Sequence, residues 1–135
     1  MAKYDNYKSQ LNVLRQAPEK DLSDEFVQNG IIAKFSLQFE LAWKLLQKAL
    51  QYDGRIESAG GSPRAIIKAA YSAYDFIDEG LWLSMLNARN EALHVYDSNM
   101  ASNLIDSIIE DYIPAFDSLL QDLESAYPSE VLKAF

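Results

Sequence analysis

The sequence contains no cysteine, no threonine, four valines and a single histidine among its 135 residues. Without cysteine there is no disulfide framework, thiolate zinc site, iron–sulfur cluster or cysteine nucleophile, and a reducing cytosol requires no adaptation. With threonine absent and valine sparse, strands are disfavoured. Long apolar runs are missing too. The longest stretch free of Asp, Glu, Lys and Arg is the nine residues from Gly80 to Ala88, against the roughly 20 needed to span a bilayer. The opening residues Met1 to Asp5 carry no apolar signal-peptide core. A soluble, cytoplasmic protein with no membrane partner is expected, and its length and 49% hydrophobic content suit a single domain over residues 1–135.

Positive charge is scarce in one half only. Residues 1–70 hold ten Lys/Arg against eight Asp/Glu, whereas residues 71–135 hold two against twelve, so the net −8 resides in the second half. A pI near 4.5 argues against a broad basic footprint for nucleic acid. Any anion site must therefore be local. Between Lys68 and Lys133 the only permanent cation is Arg89, and the only histidine, His94, follows five residues later.

Apolar residues recur at helical spacing along most of the chain, and no stretch alternates with period two, which predicts an all-α fold. A first helix is expected over Lys3 to Ala17, with Tyr4, Tyr7, Leu11 and Leu14 on one face and Pro18 closing it. A long second helix is expected from near Asp21 or Asp24, either of which could cap it, to Tyr52. Its ladder is Val27, Ile31, Phe35, Phe39, Ala42, Leu46 and Ala49. Phe26, Ile32, Trp43 and Leu50 widen that stripe, which predicts a central helix; the surplus either fills the monomer core or forms a self-association face. Asp53-Gly54 ends the helix, and a polar, glycine-rich linker leads to Gly60-Gly61. Ser62-Pro63 reads as N-cap and N1 of a short helix through Ile66, Ile67 and Ala70. A fourth helix is expected from Leu81 to near Tyr96. Asp97-Ser98 can cap a last helix to Ala126, kinked or broken at Pro114 and stopped by Pro128. The simplest assembly is an antiparallel up-and-down four-helix bundle with an additional short helix.

The segment from Leu81 to Tyr96 carries the densest chemistry. At 100° per residue, Asn90 and His94 are neighbours on one helical face, and Arg89 and Tyr96 share the adjacent one. A guanidinium can hold two phosphate oxygens, and an imidazole can take or give a proton near neutral pH. Those groups suffice for metal-independent RNA cleavage, in which a base deprotonates the ribose 2′-hydroxyl and a cation stabilises the phosphorane. One histidine rarely serves as both base and acid, and a two-fold dimer would bring a second. A plainer reading of the same residues is a histidine favoured by the helix C-terminus and an arginine in surface ion pairs.

The run Arg89, four residues, His94, one residue, Tyr96 resembles the Arg-x4-His-x-Tyr motif of the HEPN superfamily. Three further segments resemble one branch of it, the nucleotidyltransferase substrate-binding protein family. These are Lys34-Phe35-Ser36-Leu37-Gln38-Phe39-Glu40-Leu41-Ala42-Trp43-Lys44, then Gly61-Ser62-Pro63-Arg64 with Ile67-Lys68, then Trp82 with Met85-Leu86 leading into Arg89-Asn90. The resemblance runs in matching order from about residue 5 to residue 125. It implies a dimeric helical bundle encoded beside a minimal nucleotidyltransferase. Related members resemble toxins of toxin–antitoxin pairs whose Arg and His form an RNase site across the dimer. The nucleotidyltransferase silences them by adding AMP to the motif tyrosine. Carried over by position, Arg89, Asn90 and His94 are catalytic and Tyr96 is the AMP acceptor. The alternative is a non-catalytic subunit that binds substrate or nucleotide for the nucleotidyltransferase. The acidic balance is the departure from an RNase pattern. No cofactor is implied.

Two other groups are candidates for substrate binding. Glu40 and Lys44 form an i,i+4 pair in an otherwise apolar helix, and because the neighbouring Phe39 and Trp43 read as buried, Glu40 could face Arg89, since a buried charge needs a partner. Alternatively the pair is an ordinary surface ion pair. Ser62 and Arg64 at a helix start could cradle phosphate, or simply cap a helix. Glu91-x-x-His94 matches half of a di-iron bundle motif, but one histidine cannot complete it, so no metal site is expected.

Overall fold

Tyr4, Tyr7, Leu11 and Leu14 are spaced to share one helical face, and they form the buried side of the first helix, α1 (Lys3–Leu14). The computed structural model describes residues 3–55 and 61–135. The helix ends earlier than the expected Ala17, at the residue whose carbonyl the Pro18 ring would strike. A short 3₁₀ turn, Ala17–Glu19, follows. Helix α2 (Glu25–Tyr52) starts where Asp24 accepts the backbone N–H groups of Phe26 at 2.8 Å and Val27 at 3.2 Å. It ends in a Schellman turn, with Arg55 N–H bonded to the Leu50 carbonyl and Gly54 N–H to that of Gln51. That turn needs the left-handed φ of +70° that Gly54 supplies. The expected linker to Gly60 lies outside the described residues.

Helix α3 (Pro63–Ala73) opens with Pro63 at its first position behind the Ser62 cap. Helix α4 (Glu79–Glu91) is capped by Asp78, and α5 (Ser98–Ser107) by Asp97. The fourth helix stops at Glu91 instead of reaching Tyr96. A 3₁₀ turn, Ala92–His94, and extended backbone at Val95 follow it. The last expected helix is continuous in path but not in type. A π-turn, Ile108–Tyr112, separates α5 from α6 (Ile113–Ala126). Pro114 accounts for it, because its ring cannot share an ordinary turn with the Glu110 carbonyl and it donates no N–H; the wider turn is closed by Ile113 N–H on the Ile108 carbonyl. Beyond Pro128 the chain forms an unexpected helix, α7 (Ser129–Ala134).

The described residues are all-helical, with no strand among them, and pack as a bundle. Helix α2 lies at its centre against α1, α3, α4 and α5. Gln38 pairs with Tyr7 and Lys34 with Gln10, so α1 and α2 run antiparallel. Phe116 of α6 is the meeting point of three helices, its ring 6.4 Å from Tyr7, 6.1 Å from Phe35 and 6.0 Å from Trp82. Buried Gln38 donates to the Tyr7 carbonyl and the Tyr7 hydroxyl donates to the Phe116 carbonyl, joining α2, α1 and α6 through polar contacts. Of the residues that widen the α2 stripe, Phe26 is 88% exposed, because it occupies the first turn of the helix, and so does not fill the monomer core. Ile32 and Leu50 are buried as expected, and Trp43 is half-buried. No helix is long and apolar enough to cross a membrane among the described residues.

Candidate functional site

Arg89 projects from the last turn of α4 toward α2, its side chain 28% exposed. Its guanidinium carbon lies 5.6 Å from the centroid of the Phe39 ring, a cation–π seat that fixes the group. Nη1 donates to Glu40 Oε2 at 3.0 Å, and Nε donates to Asn90 Oδ1 at 3.2 Å. Glu40 is held from its own helix as well. The Trp43 indole N–H donates to Oε2 at 3.0 Å and the Lys44 ammonium lies 3.2 Å from Oε1. Glu40, Trp43 and Lys44 meet because residues three and four apart share a helical face.

Among the described residues the cluster therefore contains two cations and one carboxylate, a net positive spot where Arg89 of the acidic half meets Glu40 and Lys44 of the first half. Burial alone would raise the Glu40 carboxyl; the hydrogen bonds from Trp43 and Lys44, with the charges of Lys44 and Arg89, outweigh it and hold the group below its ordinary value. Glu40 is thus ionised at neutral pH and orients Arg89. The expected approach of Glu40 to Arg89 is observed. As a carboxylate already engaged by three donors, Glu40 is suited to hold the arginine and not to bind an anion itself.

His94 and Tyr96 form a separate pair. The His94 Nδ1 lies 3.1 Å from the Tyr96 hydroxyl oxygen. Both side chains are exposed, Tyr96 by 80%. With α4 ended at Glu91, these two residues fall outside the helix, so the helical faces expected for Asn90 with His94 and for Arg89 with Tyr96 do not exist. Among the described residues no hydrogen bond, ion pair or ring contact joins the Arg89 group to the His94 group. Tyr96 instead borders a cleft of about 320 Å³ between the starts of α2 and α5, opposite Glu25 and Asn29. Here the local tautomer decides the chemistry: with Nδ1 protonated and donating to Tyr96, the free Nε2 can accept a proton.

Ser62 and Arg64 stand apart from both groups. The Ser62 hydroxyl accepts Ala65 N–H at 3.1 Å and is committed as a helix cap; Arg64 is exposed. Among the described residues no group of three or more acidic or histidine side chains converges as a metal ion would require. Sequence reasoning missed the seats of Arg89, namely the Phe39 ring and the Trp43 indole behind Glu40. The signal was present in the i,i+3,i+4 spacing of Glu40, Trp43 and Lys44. Leu93, within the span expected for the fourth helix, is 88% exposed in the 3₁₀ turn beside His94.

Residues 2–125 match the family described as nucleotidyltransferase substrate binding protein like. No curated protein matches the chain.

Proposed function

This chain belongs to the nucleotidyltransferase substrate binding protein-like family, and from that premise we propose that it pairs with a minimal nucleotidyltransferase in a two-component, toxin–antitoxin-like system. The whole of 1–135 acts as one HEPN-like helical domain. In this reading it is a metal-independent RNase whose composite site forms across a homodimer. Arg89 binds the scissile phosphate with the guanidinium edge that Glu40 and Asn90 leave free. His94, through Nε2, takes the proton of the ribose 2′-hydroxyl as that oxygen attacks phosphorus. The His94 of the second copy protonates the departing 5′-oxygen. Lys44 adds positive charge beside Arg89. Tyr96 is the residue the nucleotidyltransferase modifies, and an AMP group there brings bulk and negative charge next to the imidazole.

The observation that carries this reading is the coincidence of an oriented arginine with an exposed His94–Tyr96 pair on one short segment of a chain of this family. The exposed Phe26 and Leu93 supply apolar surface for self-association. Purified protein should cleave single-stranded RNA in the presence of EDTA. Arg89→Ala and His94→Ala should each lower the rate by about 10²- to 10⁴-fold, the usual worth of a positioned proton-transfer or charge-stabilising group. Undiminished cleavage in both variants would discard the assignment.

A second reading makes the chain a non-catalytic subunit that presents substrate or nucleotide to the nucleotidyltransferase. The commitment of two Arg89 nitrogens to Glu40 and Asn90 favours it. It predicts no cleavage by the lone protein together with a stable complex on co-purification, whereas the RNase reading requires cleavage without the partner.

A further inference from the structure

A second cleft, of about 400 Å³, lies on the face of α4 away from Arg89, between that helix, α5 and the π-turn. Its two walls match. Asn87 and Glu91, one turn apart on α4, face Asn103 and Ser107, one turn apart on α5. Among the described residues none of these four side chains hydrogen-bonds to another protein group, so their donors and acceptors are available to a ligand. The floor is rigid by comparison. Tyr112 is stacked on Phe35 at 5.3 Å, and its hydroxyl meets that of Ser84 at 2.8 Å. The π-turn produces this, since it ends at Tyr112 and sets where that ring enters the core. Met100 and Leu104 supply an apolar side.

We propose that this cleft binds a nucleoside. Its volume suits a ligand of that size. Two asparagine amides can each read a base edge with one donor and one acceptor. Met100 and Leu104 offer the polarizable, apolar surface a flat base rests on. The Glu91 carboxylate can accept both hydroxyls of a ribose diol, a role acidic residues take in other ribose sites. Among the described residues Glu91 is also the only charged group lining the cleft, and its like charge disfavours a phosphate there and selects the nucleoside over its nucleotides. The site shares no residue with the Arg89 and His94 groups and stands or falls independently of any RNase activity.

The test is titration calorimetry of the full chain with adenosine, guanosine, cytidine and uridine, each paired with its 5′-monophosphate. One saturable site per chain is expected for at least one nucleoside, with the matching monophosphate at least several-fold weaker. Asn87→Ala and Asn103→Ala should each weaken binding about tenfold, the loss of one side chain's hydrogen bonds. Glu91→Gln should narrow the gap between nucleoside and monophosphate. Both asparagines are exposed, so these variants should fold, and an unchanged helical spectrum verifies it. Absence of saturable binding for all four nucleosides, tighter binding of a monophosphate, or undiminished affinity in both asparagine variants would overturn the proposal.

Discussion

The two ends of α2 carry tyrosines in opposite conditions. At its C-terminal end Tyr127 donates to Asp53 Oδ2 at 2.5 Å and shares a 2.8 Å hydroxyl contact with Tyr74, which reaches the same oxygen at 3.3 Å. The Tyr127 ring packs against Tyr52 at 5.9 Å and Phe135 at 5.6 Å. Lys3 N–H bonds to the Phe135 carbonyl at 2.8 Å, closing that end over both helices α1 and α7. At the N-terminal end Tyr96 is 80% exposed, and among the described residues its hydroxyl meets only His94. The Tyr127 hydroxyl is held in a part-buried network of two further side chains, whereas that of Tyr96 is held by an exposed imidazole. Among the described residues the central helix thus carries a hydrogen-bonded tyrosine cluster at one end and an exposed His94–Tyr96 pair at the other.

Paired substitutions test that contrast most strongly. Tyr127→Phe removes a hydrogen bond to a charged acceptor and leaves Tyr74 without its nearer partner, so it should cost about 1.5 to 3 kcal/mol. Tyr96→Phe should stay within about 0.5 kcal/mol, as an exposed site does. Denaturant unfolding of both variants measures the difference, and equal costs would erase the distinction between the ends.

Alkaline pH should act on the same end with smaller effect. Burial first, then hydrogen bonds and charge from Asp53 and Tyr74, raises the Tyr127 hydroxyl well above the ordinary tyrosine value. Burial and the Glu124 contact push Tyr4 up to about 12. Groups whose folded pKa is raised add stability that is intact below the unfolded value near 10 and lost as pH rises above it. Thermal melts should therefore fall progressively above about pH 10, and Tyr127→Phe should flatten that fall.

The smallest effect belongs to Glu40. Its folded pKa is lowered, so its contribution is complete above the unfolded glutamate value, near 4.3, and disappears as pH falls through the folded value. Wild type should exceed Glu40→Gln in stability at pH 7, and the gap should close in acid. A gap that persisted at pH 2 would mean the ion pair with Arg89 is not its source.

Much of the fold was legible because it is locally encoded. Asp24, Ser62 and Asp97 cap their helices through side-chain contacts no more than three residues away, and such signals are complete in the sequence. Pro114 likewise disturbed its helix where expected. The end of α4 was not legible, since neither glycine nor proline stands between Glu91 and Tyr96. The consequence reached the site: the adjacent helical faces expected for Asn90 with His94 and for Arg89 with Tyr96 were lost with it. The helix after Pro128 was also hidden, because six residues form a helix only when Leu132 has a core to enter.

By itself the sequence determined an all-helical chain, its caps, the central place of the long helix, its family and the residues able to do chemistry. These follow from periodicity, capping and side-chain identity, each complete within a few residues. Only tertiary packing decided that Glu40 and Arg89, 49 positions apart, share a hydrogen bond and that a cleft of about 400 Å³ opens behind α4. Those arrangements depend on how helices lie against one another, and a one-dimensional pattern specifies which face is buried without specifying what meets it.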